Sequence, residues 1–470
     1  MALQLNQELQ NKYPNLEISV LKYSDAMRDN DSKRIDSEFF KKGYLNFKNL
    51  LINIQSEYLK NIAKFNKRYP QPNYDENSNI KVINSQYIRN EFIDYENAKT
   101  GYGKIVPREA VLANSTGVGT LGRVNINLLN FDFSLDNHIN VIVVDEKIDI
   151  LPCFLMVFLQ TKFGQFQIEK YHSGSSGQIE IYPKDFDNFL IPLFPLSFQQ
   201  EIEEMVKTSH ACLEQSKGLY REAEVLLYRE LGLDPENPLA SIEPHSGSLN
   251  ISVRPLSQSL NATGRLDSEY YQQKYDEIEK VIKKQKFAKL SDLVDMQKSI
   301  EPGSEAYQEN GIPFIRVSNF NKFGISDTDI FLDFAEFSQT IKPKKETILL
   351  SKDGSIGTAY CVKDDGDFIT SSALLHLNIK NEKSKEILPE YLTLILNSVL
   401  VKLQAERDSG GSIIAHWRIN EIEEILIPIL DISIQEKIEN LIKQSFALRV
   451  KANELLQSAK TKVEMAIEQA

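Results

Sequence analysis

What this chain can fold into is constrained first by two long helical stretches that open 236 residues apart, at Ser197 and Ser433. In the first, Ile202, Met205, Ser209, Cys212, Ser216, Leu219, Ala223 and Leu226 follow one another in alternating steps of three and four, the spacing of a coiled-coil seam. The second repeats it through Ile438, Leu441, Ser445, Leu448, Ala452, Leu455 and Ala459. Ser197 with Gln200, and Ser433 with Glu436, predict a capping box at each start. At about 1.5 Å rise per residue, roughly 35 residues make a rod of about 50 Å. A rod with one apolar stripe needs a partner helix, and each stretch is the match for the other.

The segments before the rods are also copies of each other. Leu16-Glu17-Ile18-Ser19-Val20 recurs as Leu249-Asn250-Ile251-Ser252-Val253, and Arg34-Ile35-Asp36-Ser37-Glu38-Phe39-Phe40 as Arg265-Leu266-Asp267-Ser268-Glu269-Tyr270-Tyr271. Gly119-Thr120 answers Gly357-Thr358. Ser173-Gly174 followed by Leu190-Ile191-Pro192 answers Ser409-Gly410 followed by Leu426-Ile427-Pro428. The expected plan is a first mixed α/β domain over 1–195, a long helix over 196–232, a linker over 233–250, a second α/β domain over 251–430 and a long helix over 431–470. If two like domains each open a like helix and the seams pair about a pseudo-two-fold axis, the helices run antiparallel and the domains lie at opposite ends of a rod. Such a rod matches two groove sites about one turn of DNA apart, roughly 34 Å.

Within the first domain, Phe40, Phe47, Leu51, Ile54 and Tyr58 predict a helix between Ser37 and Lys67. Residues 103–144 read as β-branched runs broken by Gly and Asn turns, and Phe154 to Phe163 as a short helix. The second domain is expected to open with a helix from Ser268 to Gln285, followed by strands at Ile312 to Val317, Thr347 to Leu350 and Phe368 to Ile379. The link 232–250, with three prolines, ends the first rod.

Several chemistries lack support. Cys153, Cys212 and Cys361 lie far apart and read as reduced packing residues. The longest apolar run, Leu151 to Leu159, contains Pro152 and is too short to span a bilayer, so a cytoplasmic chain without a membrane partner is expected. The six histidines lack metal-ligand spacing, and there is no G-x4-G-K-[ST] sequence. Gly117-Val118-Gly119-Thr120-Leu121-Gly122 matches G-x-G-x-x-G, but strand sequence follows it where a nucleotide site needs a helix, so it reads as a turn. Asp364-Asp365 reads as a solvated turn rather than a nuclease centre. A net charge of -12 argues against a free-standing nucleic-acid binder, leaving local patches or a basic partner to meet phosphate.

The duplicated Ser/Gly loops are the leading candidates for contact with DNA, because small hydroxyls and free amides approach phosphates and base edges closely. His172, Ser173, Ser175, Ser176 and Gln178 belong to the first, and Arg407, Ser409 and Ser412 to the second. The same strings are equally readable as surface turns. Ser115, Thr116, Arg316, Asn319, Lys352 and Ser355 offer polar side chains at strand ends. Lys283 and Lys284, beside Phe287, make a candidate phosphate patch, or simply a solvated helix face.

In duplicate and in order, the Ser-Gly loop, the Leu-Ile-Pro exit and the Gln-bearing helix start resemble the specificity subunits of Type I restriction-modification systems, over essentially the whole chain. Ile348-Leu349-Leu350-Ser351-Lys352-Asp353-Gly354-Ser355-Ile356-Gly357 is also similar to that family. The resemblance implies two tandem mixed α/β target recognition domains separated by two antiparallel coiled-coil helices. Each domain would read one half of a bipartite double-stranded DNA sequence. The helices would dock methyltransferase subunits, two of them, with restriction or translocase subunits as a further partner. The chain would carry no catalytic residue and no cofactor, with S-adenosylmethionine, ATP and Mg held by the partner subunits. Two rivals stay open: a coiled-coil scaffold joining two protein-binding domains, and a Type II-like restriction subunit with its own cleavage centre.

Overall fold

A computed structural model describes residues 2–27, 30, 33–174, 178–242, 251–257, 264–409 and 416–470. The chain forms two compact units, one of residues 1–214 with 448–470 and the other of residues 215–447. Each long helix, Leu196–Glu230 and Ile432–Gln469, contributes one half to each unit.

In the first unit, helix α1 (Lys42–Asn53) leads into strand β1 (Ser56–Tyr58). A four-stranded antiparallel sheet follows, built from β2 (Ala63–Arg68), β3 (Val111–Asn114), β4 (Val124–Ile126) and β5 (Ile139–Val144) in the order β2-β5-β3-β4. Helices α2 (Pro152–Gln160) and α3 (Lys162–Tyr171) close its apolar face, and β6 (Leu190–Pro192), the Leu-Ile-Pro exit, pairs antiparallel with β1. The second unit repeats this order. Helix α4 (Gln273–Lys283) precedes β7 (Lys286–Lys289), and β8 (Val294–Lys298), β9 (Ile348–Ser351), β10 (Ala359–Cys361) and β11 (Leu374–Ile379) form the sheet β8-β11-β9-β10. Helices α5 (Pro389–Asn397) and α6 (Val399–Asp408) follow, and β12 (Leu426–Ile429) pairs antiparallel with β7.

The glutamines at the long-helix starts have a structural task. Gln199 is fully buried: its carbonyl accepts from Leu151 N at 2.8 Å, and its amide donates to Asp149 O and Phe194 O. Gln435 does the same with Leu388 N, Glu386 O and Leu430 O. Both helices begin one residue before the expected caps, at Leu196 and Ile432. Their first bonded amides, those of Phe198 and Gln199 and those of Ile434 and Gln435, donate to the carbonyls of Pro195 and Asp431. Ser197 and Ser433 therefore sit inside the first turn.

The helix halves run antiparallel in each unit. In the first, Ser209 Oγ donates to Ala452 O at 2.8 Å and Lys462 pairs with Glu201. In the second, Ser216 and Ser445 share a hydroxyl hydrogen bond of 2.8 Å. The expected seam is rotated along one edge. Ile202, Ser209, Cys212, Ser216 and Ala223 are buried as read, but Val206, Leu213, Tyr220 and Leu227 are buried beside them, while Met205, Leu219 and Leu226 are half-buried. Ile442 and Leu456 are likewise buried where Leu441 and Leu455 are half-buried, and Val463 continues the buried stripe. The apolar stripe is wide because each helix covers a domain core as well as its partner. The small residues at the shared column let the backbones come close enough for side-chain to carbonyl bonds.

Other expectations differ in extent. The helical reading of Ser37 to Lys67 holds for Lys42–Asn53 and for single turns at Glu38–Phe40 and Leu59–Ile62, since the backbone of Ser56–Tyr58 is taken up by Leu190–Pro192 and Ala63–Arg68 is strand. Phe47 and Leu51 do face the core, with Phe47 packed edge-on to Phe163. The helix read at Phe154 to Phe163 is two helices broken at Thr161, and Phe368 to Ile379 is two strands, Ile369–Thr370 and Leu374–Ile379, with Leu374 N bonded to Ser371 O between them. Gly232, at φ +73°, ends the first long helix in a Schellman turn with Leu233 N bonded to Tyr228 O. All three cysteines are buried and unpaired.

Candidate nucleic-acid interface

The two ends of the first Ser/Gly loop are held together by a short antiparallel bridge. Ser173 N donates to Glu180 O and Glu180 N to Ser173 O, each at 2.8 Å. Gly174 takes φ +107°, and a Cβ there would fall 2.1 Å from Gln178 O, so this position demands glycine. Ser173 and Gln178 are exposed and His172 is half-buried with its Nδ1 2.5 Å from Glu169 O. Ser175 and Ser176 lie outside the described residues, as does Ser412 of the second loop.

The turn after β3 lies against the returning strand of this loop. Ile181 N donates to Ser115 O, Gly117 N donates to Ile179 O, and Thr116 bridges Glu180. Gly117, Gly119 and Gly122 all adopt positive φ, at +91°, +77° and +84°, which accounts for the glycine pattern as a tight turn leading into β4. Thr116 is half-buried. Ser115 is fully buried and donates its hydroxyl to His138 O at 2.7 Å, which makes it a brace for the turn. Arg68, from the end of β2, ties the region together through an ion pair with Glu180 and a bond to Ile181 O at 2.5 Å.

The second unit builds the same junction. Trp417 N donates to Lys352 O, and Asp353 bridges His416. Lys352 pairs with Asp353, whose other oxygen lies 2.7 Å from His416 Nδ1. Burial works against ionisation of Asp353, but the hydrogen bonds from Lys352 and His416 hold its carboxyl below the usual range. Ser355 is exposed at the tip of the turn, and its carbonyl accepts from Ser351 Oγ. Ser409 and Arg407 sit at the end of α6, with the Arg407 guanidinium paired to Asp408.

The first unit thus gathers its Ser/Gly loop and the turn between β3 and β4 into one cluster of Ser115, Thr116, His172, Ser173 and Gln178, while in the second the turn carrying Lys352 and Ser355 meets His416 and Trp417, and Arg407 and Ser409 close α6. Lys283 and Lys284 fall elsewhere. The first turn of α4 reaches α6 through Lys274 and Glu406, whereas Lys283 ends α4 some 14 Å further along at about 1.5 Å per residue, paired with Glu279. Asn319 is engaged in its own turn, accepting from Arg316 N and donating to Asp327 O, and Arg316 is half-buried on the adjoining short pair. Reading the sequence alone missed Arg68, Glu180, His416 and Trp417, whose roles come from contacts across long sequence separations.

No curated protein is significantly similar in sequence to this chain. Among solved structures it is similar to the S subunit of a Type I restriction-modification system from M. genitalium, at 14% identity over 88% of this chain and 94% of that one, with a TM-score of 0.36. It is also similar to the HsdS subunit from Thermoanaerobacter tengcongensis, at 16% identity over 88% and 96% of the two chains, with a TM-score of 0.27. The family model described as the Type I restriction modification DNA specificity domain matches twice, over residues 53–225 and 282–458. These two matches cover well over half of the sequence, and the chain belongs to the family of Type I restriction-modification DNA specificity domains, as a DNA sequence-recognition subunit.

Proposed function

We propose that each unit reads one half of a bipartite double-stranded DNA target, with the two long helices as the spacer and as the docking place for two methyltransferase subunits. The observation that carries this reading is the double family match, over residues 53–225 and 282–458, each of which contains one of the two Ser-Gly pairs. The DNA-facing groups are Thr116, His172, Ser173, Ser175, Ser176 and Gln178 in one unit, and Lys352, Ser355, Arg407, Ser409 and Ser412 in the other, with Ser115 bracing the first cluster. Lys283, Lys284, Arg316 and Asn319 contribute backbone contacts at most, being remote from these clusters or engaged locally.

The chain itself supplies recognition and no catalytic group. S-adenosylmethionine belongs to the methyltransferase partners, and ATP with Mg to a restriction or translocase subunit where one joins the complex, which works in the cytoplasm. Neither a protein-binding scaffold nor a self-contained cleavage subunit finds support in a match to DNA specificity domains. Mapping methylated bases in the host genome with and without this gene tests the reading. A bipartite methylated motif that disappears with the gene is expected, and an unchanged methylation map would contradict it.

A further inference from the structure

The strings Arg34-Ile35-Asp36 and Arg265-Leu266-Asp267 recur 231 residues apart and fold into the same four-part contact. Arg34 Nε and Nη2 donate to the two oxygens of Asp36 at 2.8 and 2.7 Å, and Asp36 Oδ1 also accepts from Phe39 N at 3.1 Å. The remaining nitrogen, Nη1, donates to His172 O at 3.0 Å and Lys170 O at 3.4 Å, across the end of the helix that enters the first Ser/Gly loop. The Phe39 ring takes both the Arg34 guanidinium, 5.0 Å from its centroid, and the Lys170 ammonium, 4.6 Å away.

In the second unit, Arg265 Nε and Nη2 donate to Asp267 at 2.8 and 2.9 Å, and Asp267 Oδ1 accepts from Tyr270 N at 3.1 Å. Arg265 Nη1 donates to Arg407 O at 3.1 Å, and the Tyr270 ring takes the guanidinia of both Arg265 and Arg407, at 4.8 and 5.4 Å from its centroid. Arg407, two residues before its Ser-Gly pair, supplies the second cation where the first unit uses Lys170, three residues before its own. A planar guanidinium with a fixed fork of donors can hold a carboxylate with one edge and a carbonyl with another, which lysine cannot.

We propose that Arg34 and Arg265 are positioning residues for DNA reading, each clipping the chain ahead of its unit to the last turn before the Ser/Gly loop and so fixing where that loop emerges. This rests on the reading that those loops face DNA. The Arg34–Asp36 and Arg265–Asp267 pairs are partly open to solvent, and such pairs add little to global stability. Their consequence is local, because the groups they hold beyond their own segment include the carbonyls at the loop entrance.

The test uses the full chain assembled with its methyltransferase subunits and measures, in parallel, thermal stability and discrimination against base changes in each half-site. Arg34→Ala and Arg34→Lys are expected to lose about tenfold of discrimination in one half-site, the scale of a single mismatched pair, while the other half-site keeps its own. Arg265→Ala should give the reciprocal result. Asp36→Asn, which keeps the arginine but frees its orientation, should act in the same direction and serves if Arg34→Ala does not assemble. Unchanged discrimination, or equal loss in both half-sites, would overturn the proposal. Gln178→Ala separates the causes: if it alters one half-site while Arg34→Ala does not, only the positioning role fails, and if neither alters any half-site, the loop reading fails as well.

Discussion

At residue scale, two positions make demands that single substitutions expose. Gly174 holds a positive φ within 2.1 Å of where a Cβ would strike the Gln178 carbonyl. Gly174→Ala should therefore break the Ser173 to Glu180 bridge, with strain of order 1–3 kcal/mol, and lose selectivity in one half-site. A melting curve and half-site discrimination both unchanged would contradict this. His376, 1% exposed, lies in the middle of β11 with Nε2 2.8 Å from Thr370 Oγ1, and burial pushes its imidazole down to about 4. Because the unfolded chain takes up this proton first, stability is full above the ordinary histidine value near 6.5 and falls as pH drops from there to about 4. The loss is at most about 3 kcal/mol. Urea unfolding of His376→Gln should show a flatter dependence across that window, and an identical slope would count against the assignment.

At the scale of elements, the paired glutamines are the most exacting joints. Gln435→Ala would leave Leu388 N, Glu386 O and Leu430 O without their partner at a buried helix start, costing about 1–3 kcal/mol, and Gln199→Ala should do the same in the other unit. Denaturation with a change below about 0.5 kcal/mol would refute this. The sequence announced these elements unevenly. Both long helices were legible because a seven-residue period sustained over many turns has few other readings, and the duplication made the domain plan legible because two copies share one solution. The helix expected through Ser37 to Lys67 was too long because Ile54 and Tyr58 continue a helical period by position while their neighbours pair as strand. One of the seam's two columns was misplaced, because spacing cannot tell a helix covering one partner from a helix covering two. At the candidate site, the Ser-Gly pairs stood out through repetition. The groups that fix them, Arg68 with Glu180 and Asp353 with His416, meet across separations of 112 and 63 residues and leave no local pattern.

For the whole molecule, net charge sets the terms of DNA binding. At -12 the isolated chain lacks the counterion-releasing surface on which sequence-independent affinity depends, so it should bind DNA weakly and with little selectivity until methyltransferase subunits supply basic surface. Equal affinity with and without those subunits, in gel shifts at one salt concentration, would count against this. The central claim is that each unit reads its own half of the target, and exchanging residues 1–195 for the matching domain of a relative tests it most directly. The hybrid, assembled with methyltransferase, should recognise a new sequence in one half-site and the original sequence in the other. A hybrid that changed both halves, or neither, would contradict the assignment of one domain to one half-site.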